Sequence, residues 1–239
     1  MSNPFHFKQF TILQDKSAMK VCTDSCLFGA HIANSIHFRT KKIKNILDIG
    51  TGTGLLPLML IQKNNIPITG VEIDLDSYIQ ASENVTATNW SNQIHLVQED
   101  IKTWNPKAQF DFIISNPPFF ENDLHSLETK KNQAKHNTTL TYKELLTSIT
   151  RLLNLDGQFA VLIPFSRSNY FIQEAATQNF YLTEQIFVKQ TPKHPNFRSI
   201  LYFGREEKRV ETHTIIIKDN NNQYTNEFIA LLKDYYLHL

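Results

Sequence analysis

The sequence predicts an α/β domain with a mostly parallel sheet and helices on both of its faces. Short apolar runs alternate with helix-compatible stretches through the middle of the chain, the order expected of strand-helix-strand units. The first clear run, residues 46–49, empties into Gly50-Thr51-Gly52-Thr53-Gly54 and an apolar stretch follows at once, the signature of a strand, a glycine turn and a starting helix. A length of 239 residues with 41% hydrophobic side chains is enough for one such domain with short additions at its ends.

Taken in order, residues 1–44 read as an N-terminal cap. Phe5, Phe7, Phe10 and Ile12 alternate as an edge strand or hairpin would, and a helix begins near Ser25 with Thr23, Asp24 or Ser25 as its cap. This segment is too short for an independent domain and is expected to lie over the ligand pocket. Residues 45–205 are expected to form the core of the domain. After the glycine turn and its helix come a strand at 67–74, a returning helix at 75–88, and strands at 93–97 and 110–115. An amphipathic helix follows at 142–155, ending at Asp156-Gly157. Then come a strand at 158–164, a helix at 166–178 capped by Ser166, and strands at 181–189 and 198–204. Residues 206–239 are a C-terminal extension: a strand at 212–218, an Asn-rich turn, and a helix carrying Phe228, Leu231, Leu232, Tyr235 and Tyr236.

The glycine turn carries the first chemical argument. Of seven glycines in the chain, three stand within these five positions, so they serve the backbone there and are not scattered by composition. Glycine tolerates positive φ and lets a ligand press against bare main chain. The spacing is G-x-G-x-G and not the G-x-G-x-x-G of dinucleotide sites, and Asp48 sits two positions before Gly50. A carboxylate there would repel a pyrophosphate and suits a cationic ligand. Gly50, Thr51, Gly52 and Gly54 are therefore expected to line a ligand with Asp48. Glu72, about 20 residues past the loop, stands where such folds present a carboxylate to ribose hydroxyls, with Ile73 beside it. Asp100 or Glu99, followed by Ile101, is placed to accept the amino hydrogens of an adenine, or else to start a helix as acids do.

The second argument is the strand at 110–115, which runs into Asn116-Pro117-Pro118-Phe119-Phe120. Two prolines remove two backbone donors and stiffen the exit, which suits a corner built of acceptors. The Asn116 side-chain oxygen and the Pro117 carbonyl can accept both hydrogens of a planar amino group, and Phe119 offers a face on which a base can stack. Any planar amino group, nucleobase or amide, would satisfy that corner.

Charge is segregated. Residues 1–44 hold seven Lys/Arg against two acids and residues 187–209 six against two, whereas residues 66–128 hold ten acids against two Lys. Ordinary solvated faces would explain this, as would phosphate-binding rims around an acidic centre that attracts a cation. The polar loop at 121–140, with Lys130, Lys131, Lys135 and His136, follows the acceptor corner and is a candidate substrate clamp. Gln190 to Phe197, containing Lys193 and leading to Arg198, reads as a basic loop on the substrate side. Cys22 and Cys26 lack neighbouring ligands, so no metal is expected, and two cysteines fit a reducing cytosol. No apolar run of membrane-spanning length and no signal-like N-terminus is present, so a soluble cytoplasmic protein is expected.

With the residues set out, the chain resembles class I S-adenosylmethionine methyltransferases of the amino-group branch, whose first motif reads D/E-x-G-x-G-x-G. More narrowly, 7–10, 19–24, 48–54, 71–72, 116–120 and 224–237 resemble the bacterial tRNA(Val) adenine-N6 methyltransferases nearly end to end. The resemblance implies a Rossmann-like, seven-stranded, mostly parallel sheet and S-adenosylmethionine as cofactor. It implies Lys20, Thr23, Asp48, Gly50, Thr51, Gly52, Gly54, Glu72, Ile73, Asp100, Ile101 and Asn116 as cofactor-binding residues. Asn116, Pro117, Pro118 and Phe119 are implied as catalytic, and Phe119, Lys135, His136, Lys193 and Arg198 as substrate-binding. The implied partner is a tRNA anticodon stem-loop, modified at the adenosine just 3′ of the anticodon. Members more often read Asn-Pro-Pro-Tyr; Phe119 keeps the stacking face without the hydroxyl. Guanine-N2 enzymes of rRNA, glutamine-N5 enzymes and a catalytically silent cofactor-binding scaffold are the competing readings of the same motifs. Nothing sets an oligomeric state, and a monomer is the default expectation.

Overall fold

The computed structural model describes residues 3–17, 19–36, 43–117 and 140–239. Pro118, Phe119, Lys135 and His136 lie outside the described residues. Strands β3 (Ile46–Ile49), β4 (Ile68–Glu72), β5 (Ile94–Gln98), β6 (Phe110–Ser115), β7 (Leu153–Pro164), β8 (Tyr181–Lys189), β9 (Asn196–Gly204) and β10 (Glu211–Ile216) form one sheet in the order β10-β8-β9-β7-β6-β3-β4-β5. Every neighbouring pair is parallel except those made by β9, which runs antiparallel to β7 and to β8. Seven strands make the expected sheet. The C-terminal strand adds an eighth, pairing in parallel with β8 from Glu211↔Glu184 to Ile216↔Lys189. A separate hairpin joins β1 (Phe5–His6) to β2 (Thr11–Ile12).

Helices α1 (Thr23–Ser35), α2 (Leu55–Ile61) and α6 (Asn226–Leu232) share one apolar core with the sheet, which includes Leu27, Phe28, Met59, Phe112, Tyr202 and Phe228. Helices α4 (Tyr142–Leu152) and α5 (Ser168–Thr177) share the other, with Ile113, Leu145, Phe159, Phe171 and Phe203. Phe112 and Ile113 fall in opposite cores because successive strand residues point to opposite faces. Helix α3 (Leu75–Thr86) returns the chain from β4 to β5.

Three local expectations change. The N-cap of α1 is Cys22, with no side-chain cap bond, so Thr23, Asp24 and Ser25 occupy the first turn. Helix α4 starts on a Thr141/Glu144 capping box but ends at Leu152, because β7 already begins at Leu153 and absorbs the residues expected to end the helix. Ser166 lies in a short 3-10 turn, Phe165–Arg167, and the N-cap of α5 is Arg167.

The terminal segments are not appendages. Nine residues of α1 are buried, and a Cβ on Gly29 would stand 2.8 Å from Met59 Sδ, so glycine permits the close approach of α1 to α2. The Tyr235 hydroxyl donates to the Met59 carbonyl at 2.9 Å, and Lys8 N–H donates to the Tyr235 carbonyl at 2.8 Å. Phe7, Phe5 and Phe228 gather around Tyr236. Both chain ends therefore close the same core as the glycine turn's own helix. No helix among the described residues is long and apolar enough to cross a membrane.

Phe228, fully buried in the C-terminal segment, tests that integration. Phe228→Ala is expected to lower global stability by about 3–5 kcal/mol in urea unfolding followed by far-ultraviolet circular dichroism. An unchanged midpoint would show that the C-terminal segment is a detachable addition.

Candidate active site

Strand β3 lies between β4 and β6, where the strand order reverses, and the carboxyl ends of these three strands bring the motifs together. Gly50, Gly52 and Gly54 all take positive φ, +74°, +56° and +79°, a region costly for residues with a Cβ. The turn is tied to β4 by Gly50 N–H and Thr51 N–H, which both donate to the Val71 carbonyl at 2.9 and 3.1 Å. Glu72 completes the tie: one carboxylate oxygen accepts from Gly52 N–H at 2.8 Å, the other from Asp74 N–H at 3.0 Å. Burial raises the Glu72 pKa, and the backbone donors at Asp74 and Gly52 act against that rise. The carboxylate is thus fixed side-on to the turn, with lone pairs left for further donors.

Asp48 is fully buried in β3, and neither of its carboxylate oxygens has a hydrogen-bond partner among the described residues. The Thr51 hydroxyl is likewise buried and unpartnered. Burial pushes the Asp48 pKa up to about 7; the nearby Thr51 hydroxyl lowers it and the Glu72 carboxylate raises it. Gly70, opposite Asp48 in the neighbouring strand, makes room for this arrangement, since a Cβ there would stand 2.9 Å from Thr51 Oγ1. A buried carboxyl with no donor is an unfavourable group unless a cation or donor arrives.

Asn116 follows β6 directly. Its Nδ2 donates to Ser25 Oγ of α1 at 2.9 Å, while its Oδ1 is buried and accepts nothing among the described residues. Ser115 Oγ donates to the Ile49 carbonyl at 2.9 Å and so holds the end of β6 against β3. Pro117 is buried.

The other expected residues are placed as follows. The Lys20 ammonium donates to the main-chain carbonyls of Gln14 and Ser17, which folds the N-terminal segment on itself. Thr23 is exposed in the first turn of α1, and Ile73 is 41% exposed after β4. Asp100 Oδ1 accepts from Lys102 N–H at 2.9 Å and Ile101 is buried, both beyond the end of β5. Arg198 Nε donates to Asp24 Oδ2 at 2.7 Å, and Lys193 is exposed in the turn between β8 and β9. Asp48, the glycine turn, Glu72 and Asn116 are therefore brought together, with Asp100 one strand further along.

Sequence reasoning missed the residues that join the N-terminal segment to this site. Asn84 Nδ2 donates to the carbonyls of both Leu13 and Thr53 at 2.9 Å, its Oδ1 accepts from Leu13 N–H at 2.8 Å, and Gln80 Oε1 accepts from Lys16 N–H at 3.0 Å. The signal was present in the sequence: Ser77, Gln80, Ala81 and Asn84 recur at i, i+3, i+4 and i+7, and all four are buried. Ser25 gave no such signal, because its partner is 91 residues away.

The arrangement fits a ligand with an ammonium group and a ribose: bare backbone at a left-handed turn, an unpaired buried carboxylate and a fixed strand-end glutamate. Residues 28–164 match the family described as methyltransferase small domain. The chain is 36% identical to a tRNA1(Val) (adenine(37)-N6)-methyltransferase of Bacteroides fragilis, covering 99% of each chain. It is 38% identical to the Trichodesmium erythraeum protein of that name over 98% of each. Among solved structures, a putative class I S-adenosylmethionine-dependent methyltransferase from Listeria monocytogenes superposes with a TM-score of 0.59 at 15% identity, over 85% of this chain and 67% of that one. S-adenosylmethionine is the cofactor that these residues fit, and the chain belongs to the methyltransferase small domain family and, within it, to the tRNA1(Val) (adenine(37)-N6)-methyltransferases.

Proposed function

We propose that the protein transfers a methyl group from S-adenosylmethionine to the exocyclic N6 of adenine 37 of tRNA1(Val), beside the anticodon, in the cytoplasm. The observation that carries this reading is the unpartnered Asn116 Oδ1, an acceptor held at the end of β6 beside a glycine turn suited to the methyl donor. The named relatives support the choice of adenine 37 and of tRNA.

The bound cofactor supplies a methyl group on a positively charged sulfur. Asp48 and Glu72 provide the negative potential that favours a cationic ligand, and Glu72 also accepts from ribose hydroxyls. Asp100 accepts from the cofactor adenine. Asn116 Oδ1 and the Pro117 carbonyl accept the two hydrogens of the target amine. That nitrogen is a weak nucleophile because its lone pair is delocalised into the ring. Two fixed acceptors orient it and stabilise the positive charge that grows on it during attack, without reorganisation at the moment of reaction. Phe119 provides the ring against which the flipped base stacks. Lys193, with Lys135, supplies positive charge for the anticodon stem-loop, so binding weakens as salt rises.

Asn116→Ala should leave S-adenosylmethionine affinity within a few-fold by calorimetry and cut kcat about 10²-fold or more, as expected for loss of a transition-state hydrogen-bond partner; full turnover by the variant on tRNA1(Val) would refute the assignment. Asp48 makes a pH-dependent claim. Its folded pKa of about 7 lies above the ordinary 3.8, so the fold favours the protonated form. The associated stability is complete below about pH 4 and lost as pH rises through 7. Relative to the parent, ligand-free Asp48→Asn should therefore gain stability between pH 5 and 8, by a few kcal/mol on the order set by the shift. The same variant should bind the cofactor more weakly at pH 8. Parallel melting curves for the two proteins across that range would contradict the buried-carboxylate account.

A further inference from the structure

Asn116 is oriented from outside its own strand. An amide has two ends of nearly equal size, and only the oxygen end can receive a hydrogen from the target amine. The question is what keeps that end facing the site. Asn116 Nδ2 donates to Ser25 Oγ at 2.9 Å, and Ser25 Oγ lies 2.9 Å from Cys22 Sγ. Burial first, and then the charge of the nearby Asp24 carboxylate, raises the Cys22 pKa, so the thiol keeps its proton. Asp24 is 9% exposed and accepts from Arg198 Nε at 2.7 Å and from Ser25 N–H at 3.1 Å.

Whichever of Ser25 Oγ and Cys22 Sγ donates to the other, the Ser25 hydroxyl keeps a lone pair, and that lone pair accepts the Asn116 N–H. The Asn116 oxygen is the end that remains, and it is the buried atom without a partner. The reverse orientation would set the Asn116 nitrogen toward the incoming amine, donor against donor. It would also need the Ser25 proton to point to Asn116.

We propose that Ser25, with Cys22 and Asp24 behind it, is a positioning residue that holds the Asn116 amide with its oxygen toward the target amine. The inference rests on the reading of Asn116 as the amine acceptor. It gives the first turn of α1 a part in the chemistry. It also assigns Arg198 the anchoring of Asp24.

Steady-state kinetics on tRNA1(Val), with calorimetric cofactor binding as the control for folding, test it on four variants. Ser25→Ala removes the acceptor for Asn116 Nδ2 and should lower kcat about tenfold, the equivalent of about 1.4 kcal/mol. KM for both substrates and cofactor affinity should stay within twofold. Cys22→Ala leaves Ser25 in place but removes the partner of its hydroxyl, whose proton can then turn toward Asn116, so it should lower kcat by a similar factor, whereas Cys22→Ser keeps a partner for that hydroxyl and should retain parental kcat. Full kcat in Ser25→Ala, equal losses in the two Cys22 variants, or a change confined to KM would overturn the proposal. The fourth variant, Asn116→Ala, separates the two levels. If it is fully active, the reading of the acceptor itself fails; if it is inactive while Ser25→Ala is not, only the positioning role fails.

Discussion

The site depends on one backbone constraint: the chain must leave β3 and enter α2 within five residues while three of them take left-handed φ. This route places the Gly50 and Thr51 N–H groups on the Val71 carbonyl and the Gly52 N–H on Glu72. A Cβ on Gly54 would meet Ala81 and Val85 only at ordinary contact distance, 3.5–3.6 Å, and Gly50 and Gly52 have open space around them. Glycine is thus required here on conformational grounds, by positive φ. The turn also links two motifs that are 20 residues apart, because Glu72 is held by the loop it serves.

Around this turn the protein keeps polar groups that the fold alone does not satisfy. Asp48, Thr51 and Asn116 each carry a buried oxygen with no hydrogen-bond partner among the described residues, and all three stand at or near the carboxyl ends of adjacent strands. Such groups cost stability where they stay unpaired, and their clustering at a strand-order reversal marks a place prepared for a ligand. The stabilisation that offsets them comes from elsewhere, from two large apolar cores and from chain ends that close on one another through Lys8, Met59 and Tyr235.

The N-terminal segment illustrates how position in sequence and position in the fold part company. Read along the chain, it looked like a cap over a pocket. In three dimensions it reaches both sides of the site: Leu13 and Lys16 are bound to α3 through Asn84 and Gln80, and Ser25 holds Asn116. Between these points α1 is a core helix, buried against α2 and α6.

The strand-turn-helix at residues 46–60, the strand-end glutamate at Glu72 and the Asn-Pro exit of β6 at Asn116-Pro117 are legible in the sequence alone. Each is a local pattern, in which glycine φ, strand alternation or proline chemistry acts over a few residues. The sequence also carried the family resemblance that names the cofactor. The tertiary structure alone decided where β10 pairs, that Asp48 is buried without a donor, that Arg198 meets Asp24, and that Ser25 receives the Asn116 amide. These are contacts between residues far apart in the chain, and a side chain's burial, its pKa and the direction of its hydrogen bonds depend on neighbours that only packing brings together.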